Sequence, residues 1–294
     1  MIDLASLAKL HAAHPEAAAA QVAEFSLGSQ SFLFNSEKYL MGVINLSADS
    51  WYRESVCLTA DAAIRRGHVL HAQGAHLIDI GAESTLAHAA RVGEAAQQSA
   101  LVPVVTELAK AGLLVSVETY HPSVTTACLK AGAKVLNLTG TVNTGELFRE
   151  VADHDAGVIL CFVQGNNVRD VTDLNLGNDP IEALYSYFAL MIDEATRCGV
   201  KKIWIDPGLG FYYRNLQDSS ARIRHQMNVF LNTFRLRQLG WPVCHALPHA
   251  FECFEEEVRC AEPFFAVLAL LGQTDLLRTH EIPKVRAILK TMQL

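Results

Sequence analysis

The sequence predicts a (β/α)₈ barrel, and three features of its 294 residues support that fold class. Short apolar runs recur from Tyr39 onward, and each is followed by a polar loop and a helical stretch. A glycine stands just before or at the start of most runs, where a left-handed residue can end the preceding helix. A polar residue stands at or next to the end of almost every run. The eight runs are LMGVIN (40–45), HLIDI (76–80), LLVSVE (113–118), KVLNL (134–138), GVILCFV (157–163), KIWID (202–206), PVCHA (242–246) and DLLRTH (275–280).

The apolar character of the runs indicates a parallel sheet that is buried on both faces, rather than a sheet with one face in solvent. Because the runs lack clean alternation of apolar and polar residues, they suit strands that are buried on both faces. Eight such units over about 255 residues match the usual size of a (β/α)₈ barrel. A doubly wound sheet is the alternative, but it would place a glycine-rich phosphate loop after the first strand, where this chain has LSADS (46–50).

Two regions follow from this pattern. Residues 1–37 are rich in alanine and histidine, with an amphipathic stretch over 4–24, and we expect a helical extension that covers one end of the barrel. Residues 38–294 form the barrel domain, since no linker rich in proline, glycine or serine divides them.

Composition excludes several classes of protein. The chain has 24 basic and 31 acidic residues, a net charge of −7, so binding to nucleic acid is not expected. It has no run of about 18 apolar residues, so we expect no membrane span, and the N-terminal residues do not resemble a signal peptide. Seven cysteines without a CxxC pair predict reduced thiols in a cytoplasmic protein.

Polar side chains at the strand ends predict where the chemistry takes place. Catalytic groups of (β/α)₈ barrels lie at the C-terminal ends of the strands, which meet at one mouth. One polar strand end is commonly a cap, but eight that converge indicate an enzyme whose mouth is lined by carboxylates and amides. These residues are Asn45, Asp79, Glu118, Asn137, Gln164, Asp206, Arg278 and His280.

Six short motifs stand at or after the strand ends in a definite order. They are MGVINLSADS (41–50), GAHLIDIGAEST (74–85), SVETY (116–120), Asn137, DPGLGF (206–211) and RTH (278–280). Their order and spacing resemble the signatures of the dihydropteroate synthases, a family of pterin-binding barrels. The resemblance covers residues from about 39 to 290. It implies a transferase that joins a 6-hydroxymethyl-dihydropterin pyrophosphate to an arylamine and releases pyrophosphate with the help of Mg²⁺.

The resemblance implies a role for each matched residue at the pterin. Asp206 would accept hydrogen bonds from the pterin 2-amino group and ring N–H, and Asn137 would pair with another part of that edge. Glu118 stands where the family has an aspartate, and its carboxylate is one methylene longer.

At the leaving group, the resemblance implies a set of catalytic residues. Asn45 would bind pyrophosphate or its Mg²⁺, and Arg278 with His280 would bind phosphate oxygens. Thr85 would contact the pyrophosphate or the arylamine. The rest of the expected arylamine region consists of Phe211, Tyr212 and His249.

The amine end departs from the family pattern. After the seventh strand the family carries Ser-Arg-Lys, whereas this chain has ALPHAF (246–251), and Leu86 replaces an arginine of the second loop. Hydrophobic residues cannot replace the cations that pair with a carboxylate. The arylamine is therefore either p-aminobenzoate or a carboxylate-free analogue, as in methanopterin-type cofactors. Three arginines in nearby loops could restore the missing charge: Arg53, Arg169 and Arg214.

Three further expectations complete the interpretation. The alternative to a synthase of folate or methanopterin biosynthesis is a pterin- or methyl-tetrahydropterin-binding protein without synthase activity. A homodimer is expected, because family members commonly pair. Cys244, His245, His249 and Cys253 have the ligand types of a zinc site but not its spacing, which favours packed strand and helix residues.

Overall fold

The structure is a computed structural model that describes residues 2–50, 52–86, 89–170, 172–211 and 213–294. Ten strands follow one another within these described residues. They are β1 (Phe25–Leu27), β2 (Gln30–Phe32), β3 (Tyr39–Asn45), β4 (Leu77–Gly81), β5 (Val115–Thr119), β6 (Val135–Leu138), β7 (Gly157–Cys161), β8 (Ile203–Asp206), β9 (Cys244–Ala246) and β10 (Leu276–Thr279).

In the described part of the chain, eleven α-helices alternate with or precede these strands. They are α1 (Leu4–Ala13), α2 (Pro15–Ala18), α3 (Ala60–Gln73), α4 (Glu94–Lys110), α5 (Pro122–Lys130), α6 (Thr144–Asp153), α7 (Pro180–Arg197), α8 (Ser219–Asn232), α9 (Phe251–Phe254), α10 (Ala261–Leu271) and α11 (Ile282–Met292). Short 3₁₀ segments span Arg53–Ser55, Arg214–Leu216, Thr233–Leu239 and Glu255–Cys260.

Strands β3 to β10 form one parallel sheet that closes into a barrel. The order of hydrogen-bonded neighbours is β8-β7-β6-β5-β4-β3-β10-β9, and a parallel bridge between Ile205 and Val243 joins the two ends. Each of the eight predicted apolar runs overlaps one of these strands, with ends that agree to within two residues, so the prediction of a (β/α)₈ barrel is confirmed. Gly74 shows how the helices end: it caps α3 with φ 112°, a left-handed conformation that lets the chain turn directly into β4.

The predicted N-terminal helical extension is present, and within the amphipathic stretch over 4–24 it consists of two helices rather than one. Helix α1 ends at Ala13, and a second short helix begins at Pro15, because proline has no N–H for an i−4 carbonyl and starts a new helix instead. The antiparallel hairpin β1–β2 follows, with Phe25 opposite Phe32. The division of the chain into an extension over 1–37 and a barrel domain over 38–294 stays a prediction.

The hairpin, not the helices, covers the barrel end where the strands begin. Phe32 and Phe34 are fully buried, and they pack with Tyr39 and Trp204, whose ring lies 4.7 Å from that of Phe25. Aromatic rings therefore fill the barrel interior at the end where the strands begin. Only the opposite end, where the strands finish, is left for a ligand.

Two expectations from composition can be compared with the structure. All seven cysteines lie within the described residues, and none forms a disulfide, as predicted. Among the described helices, none is long and apolar enough to cross a membrane.

Candidate active site

A pocket opens at the C-terminal ends of the barrel strands. Nine of the ten residues that the sequence analysis assigned to ligands line it together: Asn45, Thr85, Glu118, Asn137, Asp206, Phe211, His249, Arg278 and His280. The tenth, Tyr212, lies outside the described residues. The barrel topology brings these residues together, since they come from seven different strands and the loops that follow them.

Arg278 is the central cation of the pocket. It stands near the end of β10, and its guanidinium reaches across the mouth to two carboxylates on neighbouring strands. Its Nε donates to Asp79 Oδ2 at 2.7 Å, and one Nη donates to Glu118 Oε2 at 2.6 Å. Charge-assisted pairs of this length fix the guanidinium in the pocket wall.

Asp79 is fully buried and connects the pocket to the strands beneath it. It accepts hydrogen bonds from the Ser116 hydroxyl at 2.6 Å and from the Asn137 amide at 3.1 Å, in addition to Arg278. The Asn137 oxygen in turn accepts from the Cys161 thiol. Sequence reasoning recognised Asp79 only as a polar strand end and did not assign it a role. Its position within the IDIG string was the available signal.

Asp206 lies at the end of β8 and is 4% exposed. Its Oδ1 accepts from the Gly208 N–H at 2.8 Å, so one oxygen caps the turn that follows the strand. Gly208 has φ 74°, and a Cβ there would lie 2.4 Å from the Phe162 carbonyl oxygen, so only glycine fits. The side chain therefore has both expected roles: it caps the turn and it lines the pocket.

The two acidic groups of the pocket floor resist ionisation. Burial raises the pKa of Glu118 to about 7, although Arg278 opposes the shift. Burial likewise raises the pKa of Asp206 to about 6, against the Gly208 hydrogen bond and Arg278. Burial disfavours the charged form of a carboxyl group, and a ligand that donates hydrogen bonds would favour it again.

The loop after β3 (the first loop) and the loop after β4 (the second loop) supply the polar rim of the pocket. Asn45 donates its amide to the Ser55 hydroxyl at 2.6 Å, which leaves its carbonyl oxygen available for a cation. Arg169 holds the second loop in place, because its guanidinium donates to the backbone carbonyls of Ser84 and Leu86. Thr85 lies between these two positions and is half-buried.

Two histidines and a glutamate form a second polar cluster on the wall of the pocket. His280 Nδ1 lies 2.7 Å from Glu262 Oε1, and His249 Nε2 lies 3.2 Å from the same oxygen. The Tyr52 ring stacks on both imidazoles, with centroids 4.6 and 5.1 Å away. Although burial opposes the charged carboxylate, the two imidazoles hold the pKa of Glu262 below its ordinary value. Sequence reasoning missed Glu262 and Tyr52, because neither belongs to a recognised motif.

The quartet considered for zinc does not assemble. His245 is buried and lies 2.7 Å from the Thr233 hydroxyl, and Cys253 is exposed on α9. The sequence-based preference for packed strand and helix residues agrees with these positions. His249 is the exception, since it joins His280 and Glu262.

The side of the pocket expected to receive the amine is mainly apolar. Leu247 and Ala250 are buried, and Pro248 lies between them. Arg222, from α8, also lines this side and bonds to Glu252 at 2.6 Å. Arg53 bonds instead to the Ala48 carbonyl, and Arg169 to the second loop. Among the arginines of the described residues, Arg222 and Arg278 line the pocket.

The arrangement defines a class of protein. A closed barrel with buried carboxylates at the mouth suits a flat ligand with several N–H donors, and an adjacent Arg–His pair suits an anion. These are features of a barrel enzyme with a site for a flat, hydrogen-bonding ligand.

Comparison with known proteins identifies the family. The family model described as "Pterin binding enzyme" matches residues 41–246, and the chain belongs to this pterin-binding enzyme family. The dihydropteroate synthase of Streptococcus pyogenes is 30% identical over 217 residues, 72% of this chain and 75% of the relative. The dihydropteroate synthase of Bacillus subtilis is 26% identical over 272 residues, 88% of this chain and 89% of the relative.

Solved structures agree with the fold. The Xanthomonas albilineans dihydropteroate synthase with 4-aminobenzoic acid superposes with a TM-score of 0.76 at 25% identity, over 92% of this chain and 97% of that one. The Yersinia pestis dihydropteroate synthase with a sulfonamide drug superposes with a TM-score of 0.79 at 21% identity, over 92% and 98% of the two chains, which supports the fold alone. This protein is therefore a dihydropteroate-synthase-like member of the family.

The raised pKa of Asp206 predicts that its charged carboxylate lowers the free energy of unfolding at neutral pH. A carboxyl group whose folded pKa is raised stabilises the fold at pH values below its unfolded pKa of 3.8, and that contribution is lost as the pH rises through about 6. Asp206→Asn cannot ionise, so we expect it to raise the free energy of unfolding by about 1–3 kcal/mol at pH 7.5 and by less at pH 5.

Urea denaturation of the unliganded protein at the two pH values measures this effect. Asp193→Asn, on the exposed face of α7, is the matched control and should change stability by no more than about 0.5 kcal/mol. An Asp206→Asn protein that is less stable than the wild type by the same amount at both pH values would contradict the assignment.

Proposed function

We propose that this protein is a transferase that condenses a 6-hydroxymethyl-dihydropterin pyrophosphate with an arylamine and releases pyrophosphate. One observation carries the proposal: Asp206 and Asn137 line the same pocket as Arg278, His280 and Asn45. A pterin edge and a pyrophosphate can thus be bound side by side. The relatives named above are dihydropteroate synthases, and one of them was solved with 4-aminobenzoic acid.

In this proposal the side chains at the floor of the pocket form hydrogen bonds to the polar edge of the pterin. The free oxygen of Asp206 accepts from the 2-amino group or the ring N–H, and Asn137 offers its second amide hydrogen to a ring acceptor. Glu118 is held by Arg278, so its longer side chain lies against the pocket wall rather than under the ring. The methylene carbon of the pterin then faces the arylamine, whose nitrogen attacks as the carbon–oxygen bond to pyrophosphate breaks.

The leaving group needs positive charge, because the mouth is acidic. Arg278 is one cation facing three carboxylates, Asp79, Glu118 and Asp206. We propose that Arg278 and His280 donate to the phosphate oxygens and that Thr85 adds a hydroxyl contact. The carbonyl oxygen of Asn45 fits a hard cation, so it would hold the Mg²⁺ that accompanies pyrophosphate. That ion supplies charge neutralisation for the departing group.

We further propose that the arylamine lies against Phe211, Tyr212 and His249, with Leu247 and Pro248 at its far end. An arylamine that carries a carboxylate would place that carboxylate against this apolar surface. Arg222 lines the same pocket and has the charge to pair with a carboxylate, but it is already paired with Glu252. A carboxylate-free arylamine loses nothing at an apolar surface. We therefore propose a neutral arylamine, as in methanopterin-type cofactors, as the better substrate. The expected homodimer stays a prediction.

Synthase turnover tests the proposal directly. Pyrophosphate release is measured after mixing the protein with dihydropterin pyrophosphate, Mg²⁺ and an arylamine, and we expect release to require both substrates. Asp206→Ala should weaken pterin binding by about 2–4 kcal/mol, because a buried charge-assisted contact is lost. Asp193→Ala, on the outer face of α7, should leave binding unchanged. Pterin binding without pyrophosphate release under any condition would reject the synthase and support a pterin-binding protein.

The choice of arylamine is a separate prediction. We expect 4-aminobenzamide, which is neutral, to be used with a kcat/KM at least equal to that of p-aminobenzoate, and we expect sulfonamides to inhibit weakly. Loss of a charge-assisted contact to the carboxylate costs about 1.5–3 kcal/mol, which is roughly ten- to a hundredfold in affinity.

Arg222→Met provides the sharper comparison, with the exposed Arg224→Met on the same helix as control. If Arg222 does not bind the carboxylate of p-aminobenzoate, Arg222→Met changes the kcat/KM of the two amines by equal factors. A preference for p-aminobenzoate that disappears in Arg222→Met would contradict the prediction and identify Arg222 as the carboxylate-binding residue.

A further inference from the structure

The cluster of His249, Glu262 and His280 is not needed to bind a pterin edge. Its three members come from three elements: His249 follows β9, Glu262 stands in the first turn of α10, and His280 follows β10. Each offers one ligand atom, and these atoms all lie within 4.8 Å of one another. Two of the three, His249 and His280, also line the pocket.

One atom of this cluster lacks a hydrogen bond. The Nε2 atom of His249 is buried and has no hydrogen-bond partner among the described residues, although it lies 3.2 Å from Glu262 Oε1. A buried polar atom without a partner is uncommon, because it loses its hydration and gains nothing in exchange. This nitrogen is therefore one that a bound metal ion could take as a ligand, once it carries no proton.

The glutamate is oriented as a ligand would be. Glu262 Oε2 accepts from the backbone N–H of His280 at 2.9 Å and of Glu281 at 3.2 Å, and also from the Thr279 hydroxyl. These bonds hold the carboxylate so that Oε1 faces the two imidazoles. The Tyr52 ring is inclined by 24° to each imidazole and restricts their rotation. Outer contacts of this kind orient the ligands of a metal ion.

We propose that His249, Glu262 and His280 bind a divalent transition-metal ion, for which Zn²⁺ is the best match. Two imidazole nitrogens and one carboxylate oxygen are a donor set that suits Zn²⁺, whereas Mg²⁺ prefers oxygen atoms alone. Bonds of about 2.0–2.2 Å place neighbouring tetrahedral ligands roughly 3.3 Å apart. The observed separations of 2.7 and 3.2 Å between Glu262 and the two imidazoles lie near this value, and the ligand atoms of the two histidines lie within 4.8 Å of each other.

The site would have the composition of an open metal centre. Three protein ligands leave a fourth position for a water or a substrate oxygen, and it faces the pocket because two of the ligands line it. The ion would add two positive charges to a mouth where one arginine faces three carboxylates. If the proposed function holds, this charge lies beside the pyrophosphate; the metal site itself does not depend on that function.

Zinc titration of the purified, chelator-treated protein tests the proposal. We expect one Zn²⁺ per chain, and at least about a hundredfold weaker binding in His249→Ala and in His280→Ala, whereas MgCl₂ should give no comparable site. His154→Ala is the matched control, because this histidine caps α6 at the opposite end of the barrel. Co²⁺ should produce visible absorption bands of a low-coordinate site that vanish in the double variant His249→Ala/His280→Ala.

Several outcomes would overturn the metal site. These are the absence of stoichiometric Zn²⁺ binding, or binding and Co²⁺ bands that survive in the double variant. Circular dichroism checks that each variant is folded, and Glu262→Gln, which keeps the hydrogen-bonding shape, provides a second variant if an alanine variant unfolds. No pterin is present in these measurements. Turnover with Mg²⁺ in a protein that binds no Zn²⁺ would reject the metal site alone, and Zn²⁺ binding without turnover would reject the proposed function alone.

Discussion

The ion pairs of Arg278 with Asp79 and Glu118 are the constraint on which the mouth of the barrel depends. They join β10 to β4 and β5 across the pocket, at distances of 2.7 and 2.6 Å. Breaking such a buried network by removing one partner leaves an uncompensated charge, which is strongly destabilising. Asp206 makes no ion pair with any described residue, so its carboxylate is the group of the floor that gains most from a ligand rich in N–H donors. In the proposed function, the excess of carboxylates over cations at the mouth explains why an anionic leaving group would need added cations.

The rest of the fold supports this arrangement from below. The hairpin β1–β2 packs aromatic rings into the end of the barrel where the strands begin, so the interior beneath the polar layer is filled by apolar side chains. A low-dielectric floor raises the pKa values of Glu118 and Asp206 and strengthens any hydrogen bond that a ligand makes to them. The pocket is therefore poised to bind rather than optimised for stability, as is usual for a binding site.

The sequence predicted what depends on local pattern, and not what depends on distant packing. The eight strands and their polar ends could be predicted, because strand periodicity and barrel topology place those ends at one mouth. The meeting of Glu262 with His249 and His280 could not, because Glu262 belongs to no recognised motif and the contact depends on how α10 packs against the ends of β9 and β10. Arg169 was considered as a charge for the amine, whereas its contacts with loop carbonyls could only be seen in three dimensions. The β1–β2 hairpin was missed because the alanine-rich residues before it dominate the helical pattern.

The proton balance of pterin binding tests the central claim, that a buried carboxylate of raised pKa becomes charged when it reads the pterin. Calorimetric titration of the wild-type protein with a dihydropterin, repeated at pH 6 in buffers of different ionisation enthalpy, gives the number of protons exchanged. With the pKa of Asp206 at about 6 in the free protein, the account predicts release of about half a proton or more at pH 6. The release should fall toward zero by pH 8 and disappear at pH 6 in Asp206→Asn, apart from any share that belongs to Glu118. Tight binding with no proton release at pH 6, or with proton uptake, would contradict the account.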